Sequence, residues 1–201
     1  MATIGTEFKS SGITENTPKT IMLGAGTIHK GLEYSSTDKA WNFEESLICA
    51  TSGGGKASIV PEFYDVPVDG ALVKVKGLTV KTGESASLEV NPIELTPEVL
   101  KMAVIGDSST YSDATGYSQI TSRARISTGD YIENLAYVGK TVEGNPIIIL
   151  FDWALCTSGL ELEGKNKEAA IPKFTFECMA DLSPEADTLP WHIIYPTPST
   201  T

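Results

Sequence analysis

In Glu84-Ser85-Ala86-Ser87-Leu88-Glu89-Val90, polar and apolar residues alternate from Ser85 onward. Successive side chains of a strand point to opposite faces, so Ala86, Leu88 and Val90 share one face while Ser85, Ser87 and Glu89 share the other. Phe174, Phe176 and Cys178 repeat the pattern against Lys173, Thr175 and Glu177. Outward from these two, strands are expected at 20–29, broken by Gly24-Ala25-Gly26, and at 47–50, 56–68, 72–76, 78–81, 118–127, 131–139, 147–156 and 189–195. Thr51–Gly55 reads as a flexible turn, Asp69-Gly70 as a hairpin turn and Thr82-Gly83 as a further turn. Pro61 and Pro67 remove ladder donors, so 56–68 belongs at an edge or carries bulges. Strands at this spacing predict a mainly β chain, an antiparallel β-sandwich or barrel.

One short helix is expected, at about 97–105. Thr96 caps it, Pro97 takes the first helical position and Glu98 complements the N-terminal dipole. Leu95 and Leu100 stand at staple positions, and Gly106 is expected to end the helix as a left-handed cap. Two to three turns need a sheet to pack against. The 201 residues divide into a polar arm at 1–18, one β domain at 19–195 and a tail at 196–201. Residues 30–46 and 107–117 read as polar loops within the domain.

Fifteen Lys and Arg stand against 26 Asp and Glu, a net charge of −11. The excess is spread along the chain, with no basic patch. Gripping nucleic acid requires a cationic footprint, and so does binding an anionic membrane surface; neither is expected. The longest apolar run, Ile147–Phe151, is far short of a membrane span, and 1–9 has no secretory signal pattern. Cys49, Cys156 and Cys178 are odd in number and widely spaced, which fits buried free thiols in a reducing compartment.

Catalytic and ligand motifs fail one by one. In Ser52-Gly53-Gly54-Gly55-Lys56-Ala57 no hydroxyl follows the lysine, and Ala50 stands where a phosphate loop needs its first glycine. Gly24-Ala25-Gly26 lacks a third glycine, since His29 occupies that place. His29 and His192 are far apart and no Cys-x-x-Cys pair exists, so no zinc set forms. Gly106-Asp107-Ser108 lacks the second glycine of a nucleophile elbow. Glu44 and Glu45 are adjacent and, on a strand, would face opposite ways. The expectation is a chain with no catalytic, cofactor or metal site and no small-molecule ligand, offering surfaces for assembly.

Five stretches, in order along the chain, resemble the major tail (tail tube) proteins of long-tailed phages. They are Ile21–Lys30 "IMLGAGTIHK", Ile48–Lys56 "ICATSGGGK", Val68–Gly77 "VDGALVKVKG", the run from Ala86 through Leu95-Thr96-Pro97-Glu98-Val99-Leu100, and Phe174–Tyr195 with its closing Leu189-Pro190-Trp191. Ser52 departs from the pattern, where Arg or Asn is commoner. The resemblance implies a β-sandwich with a flanking helix that forms hexameric rings, stacked into a hollow tail tube through which DNA leaves without specific binding. It implies a virion protein assembled in the host cytoplasm, with tail terminator, tape-measure and distal tail proteins as partners. Contractile tails, tailocins and the type VI secretion tube share the fold and are near alternatives. A non-catalytic β-sandwich that binds a ligand is the alternative of a different class.

Six copies at −11 each carry a formal −66 per ring, so acids facing a lumen would repel DNA over a Debye length of ~8–10 Å. Glu89 and Glu177, on polar strand faces, are the candidate lumen acids. Trp41 and Phe43 are candidate interface anchors because aromatics dominate hot spots, with Leu47 beside them.

Overall fold

The computed structural model describes residues 11–182 and 188–197. Residues 1–10 of the expected arm and 198–201 of the expected tail lie outside them.

In chain order the elements are α1 (Thr17–Thr20), β1 (Thr27–His29), β2 (Tyr34–Ser35), β3 (Ala40–Trp41), α2 (Phe43–Ser46), β4 (Leu47–Cys49), β5 (Thr51–Asp65), β6 (Thr79–Pro92), α3 (Pro97–Ala103), β7 (Gly106–Thr110), β8 (Ser118–Ser122), β9 (Ile132–Lys140), β10 (Pro146–Cys156), β11 (Phe174–Cys178) and β12 (Trp191–Ile194). The fold is mainly β and antiparallel, with one short helix of structural weight, as the alternation predicts. One sheet holds eight of the described strands in the order β4-β1-β9-β10-β11-β6-β5, with β12 paired to β10 beside β11. β2-β3 and β7-β8 form two small hairpins.

The outermost strands of this sheet, β4 and β5, are consecutive in the chain. β4 pairs with β1, Ala50 intervenes, and β5 pairs with β6. The Ala50 carbonyl accepts from Ile93 N at 2.9 Å, and its N–H donates to a Glu94 carboxylate oxygen at 3.0 Å. The sheet thus curls until its two ends meet at one residue. Gly53 and Gly54 turn the corner with φ of 80° and 77°, and the register jumps between Thr51 and Gly55. That left-handed backbone suits glycine, so the expected flexible turn is instead a bulge inside a long strand.

The inner face is one core. Ala86, Leu88 and Val90 from β6 meet Phe174, Phe176 and Cys178 from β11, Leu135 and Tyr137 from β9, and Phe151 and Ala154 from β10. α3 closes it with Val99 and Ala103. The Thr96 hydroxyl accepts from Val99 N at 3.2 Å, the cap expected from sequence. All three cysteines are buried and free.

Tyr137 ties β9 across β1 to β5. Its hydroxyl accepts from Gly26 N at 3.0 Å. A Cβ at Gly26 would lie 2.3 Å from a Tyr137 ring carbon, and one at Gly55 would lie 2.7 Å from another. Both positions have to be glycine for the ring to lie there.

Several expectations are corrected. The strand expected at 20–29 is regular only at Thr27–His29, because the preceding segment crosses the end of β9 with a single bridge, Met22 to Thr141. The loop expected at 30–46 is a small hairpin and a helical turn: the Asn42 side chain accepts from Glu33 N at 2.8 Å and donates to Gly31 O at 3.1 Å, folding the segment on itself. The strand expected at 72–76 is absent; Ala71 N bonds Val68 O and Leu78 N bonds Val75 O, so the tip between β5 and β6 is two tight turns. The Thr82-Gly83 turn does not form, because Gly83 pairs with Glu62 and a bulge between Glu62 and Phe63 absorbs the irregularity. Gly106 opens β7 and does not cap α3, which ends at Val104 in extended backbone. Of the polar loop expected at 107–117, Asp107–Thr110 belongs to β7 and 111–117 is the loop of the β7-β8 hairpin, while the strand expected at 118–127 stops at Ser122. Arg123 holds that hairpin down, donating to Asp107 at 2.8 Å and to Asp130.

Inserting one methyl group under Tyr137 overpacks the closure. Gly26→Ala and Gly55→Ala are each expected to cost about 1–3 kcal/mol, and Tyr137→Phe about 1 kcal/mol for the lost hydrogen bond. Urea denaturation followed by fluorescence measures all three, and glycine variants as stable as wild type would contradict the packing.

Candidate functional site

Trp41 and Phe43 come together, while Leu47 begins β4, directly after the helical turn that Phe43 opens. Trp41 stacks on Phe43 at 6.4 Å between ring centroids and meets Tyr34 edge-on at 5.3 Å. Both rings pack on a small cluster of Leu32, Ala136 and Ile148. They are half-buried, so part of each ring serves the domain itself. Leu47 is 47% exposed.

His29 anchors this segment from beneath. It is buried, with Nδ1 2.9 Å from the Ser46 hydroxyl and Nε2 2.8 Å from the Thr27 hydroxyl. The Ser46 hydroxyl donates to Asn42 O at 2.7 Å. Its one proton being used there, Nδ1–H donates to Ser46, and Nε2 accepts from Thr27. Phe43 lies edge-on to the imidazole at 5.7 Å. Burial holds His29 below its ordinary 6.5, opposed in part by the Phe43 carbonyl.

Glu89 and Glu177 lie on the polar face of the β6-β11 pair, where Thr175 is opposite Glu89 and Glu177 opposite Ser87. Glu89 sits between two lysines, Lys173 at 2.6 Å and Lys56 at 3.6 Å. Hydrogen bonding from Lys173 holds its carboxyl below the usual range. Its charge is therefore locally balanced. Glu177 accepts from the Thr157 hydroxyl at 3.0 Å and remains exposed.

Sequence reasoning missed two features. The first is the reach of the β5-β6 hairpin, whose strands run 15 and 14 residues. Asp65 ties its neck, accepting from Lys74 at 2.5 Å and from the Thr79 hydroxyl at 2.6 Å, and both hold its carboxyl below the usual range. Beyond the neck Leu72 is 98% exposed and Val73 77%. Ala71, Leu72, Val73 and Val75 are visible in the sequence, but alternation with Lys74 and Lys76 reads 72–76 as one more strand. The second is a cleft of about 370 Å³ between α3, β7 and the turn at 128–130, built by Met102, Ile105, Tyr131 and Leu155. Nothing in the sequence brings those residues together.

Among the described residues no three metal-capable side chains converge. No protein-family model matches the chain, and no curated protein is significantly similar to it. Among solved structures it is similar to a chain of the virion of a native gene transfer agent particle, at 12% identity and a TM-score of 0.40, covering 78% of this chain and 92% of that one.

His29 makes stability depend on pH. The unfolded chain takes up a proton near pH 6.5 while the folded chain resists it, so stability is full above about 6.5 and falls as pH drops below. His29→Gln is expected to flatten the part of the urea-midpoint profile between pH 7 and the lower folded value. Parallel profiles for the two proteins would exclude His29 as the cause.

Proposed function

We propose that this chain is a structural virion protein that assembles with itself into hexameric rings, stacked into the hollow tail tube of a long-tailed phage. DNA passes through the lumen without specific binding, and the chain carries out no catalytic step. The observation that carries this reading is the hairpin tip. A two-strand arm that ends in Leu72 and Val73, almost wholly in water, keeps apolar area exposed that only a partner can cover. The five stretches that resemble tail tube proteins, met in family order across the chain, support a partner that is another copy. By the same resemblance the protein works in the tail of the virion, is assembled in the host cytoplasm, and meets terminator, tape-measure and distal tail proteins at the tube ends.

Negative-stain microscopy of the purified protein is expected to show rings or hollow tubes of uniform width. Burying Leu72 and Val73 contributes roughly 1.5–3 kcal/mol per side chain, so Leu72→Ser with Val73→Ser should raise the concentration needed for assembly at least tenfold. Wild-type protein that stays monomeric at every concentration and salt, or that turns over a small ligand, would overturn the reading.

A further inference from the structure

We propose that the cleft beside α3 receives the β5-β6 tip of a second copy of this chain, so that copies join head to tail. This deepens the assembly reading and rests on it.

Position comes first. The tip precedes Thr79, the start of β6, and the cleft begins at Pro97, five residues beyond the strand's last residue, Pro92. At ~3.3 Å per residue, 14 residues of β6 hold the two about 40 Å apart, so a copy's own tip cannot fill its own cleft. A donor at one end and an acceptor at the other make a heterologous contact. Each copy added in the same direction leaves one free tip and one free cleft, which is the arrangement that builds rings and filaments.

Chemistry matches position. Met102, Ile105, Tyr131 and Leu155 supply the apolar part of the cleft lining, and its volume of about 370 Å³ lies in the ~300–1,000 Å³ range that seats a ligand-sized group. The tip offers Leu72 and Val73. In the polar part of the lining Lys30 and Glu98 pair with each other at 3.1 Å and Asp130 is taken by Arg123, while Lys101 has no ion pair among the described residues. On the tip Lys74 is taken by Asp65, while Asp69 has no ion pair among the described residues. Seating Leu72 in the cleft brings Asp69, three residues earlier, within reach of Lys101. Residues 65–78 carry two lysines and two aspartates, a net charge of zero in a chain whose total is −11, so the tip approaches another copy without the repulsion that the bodies meet.

The test uses the full chain with Leu72→Cys and Lys101→Cys, assembled from an equal mixture of unlabelled and 15N-labelled protein and treated with a short bismaleimide at pH 7.5. The native thiols do not interfere: all three are buried, and burial pushes Cys49 up to about 11 and Cys178 up to about 12. A ladder of covalent multimers is expected, with the linked peptides joining position 72 of one copy to position 101 of another. Neither single variant should form that ladder. In parallel, Lys101→Glu should raise the assembly concentration roughly two- to fivefold, and Asp69→Lys added to it should restore assembly. Tubes that form without a 72–101 link, or whose tip links elsewhere, overturn the cleft assignment and leave the tube reading standing. A 72–101 link within a single copy also overturns it. Wild-type protein that forms no assembly overturns both.

Discussion

The structure depends on the space that two absent methyl groups leave for one tyrosine. Tyr137 stands on β9, two strands from the end of the sheet, and its ring reaches past Gly26 to lie against Gly55 on β5. The sheet ends are also joined through Ala50, so the covalent link and the tyrosine close the same gap by different means. The link limits how far β4 and β5 can separate. The ring fills the gap and, through its bond to Gly26 N, satisfies a backbone donor where β1 has not yet begun its ladder. With the sheet closed, the apolar faces of β6, β9, β10 and β11 converge on one interior, and α3 needs only two buried side chains to complete it. A seven-residue helix has little stability alone, and here its Thr96 cap and the sheet beneath supply what its length does not.

How much of this was legible follows from which interactions are local. Alternation at 84–90 and 174–178 is a property of neighbouring residues, and the strands, their buried faces and the antiparallel class emerge from it directly. The Thr96 cap and Pro97 are equally local, so the start of α3 is read correctly. Errors arise where glycine is read as punctuation. Gly53, Gly54 and Gly83 resemble turn residues, yet each lies in a paired strand, because a partner ladder on β6 or β5 outweighs the local tendency to turn and the misfit becomes a bulge. The segment at 30–46 carries no alternation, and what orders it, the Asn42 and His29 hydrogen bonds, depends on side chains whose partners sequence spacing does not reveal. The candidate residues divide the same way. Glu89 lies on the polar strand face that alternation predicts, but its two lysines come from the strand β5 and from the approach to β11, and only the assembled sheet puts them beside it.

The long arm shows how apolar surface and protected edges work together. Along 55–65 β5 pairs with β6 alone and leaves its other edge unpaired, a template for uncontrolled strand addition. Pro61 interrupts the donors on that strand, the bulge at Glu62 and Phe63 breaks its regularity, and Lys56 is held by Glu89 at its base. Association through the backbone edge is therefore discouraged along the arm, while its end presents Leu72 and Val73 with no backbone ladder to extend. Side-chain burial at a tip has a defined size and saturates with one partner, whereas an open edge keeps recruiting strands. An arm with a blunted edge and an apolar end thus favours one contact of fixed geometry, and only contacts of fixed geometry add up to a structure of uniform width. In the proposed assembly the acid excess would act in the same direction: at −11 per copy, close approach is unfavourable except where apolar burial and a local charge match coincide, so the bodies would stay apart until the tip aligns them.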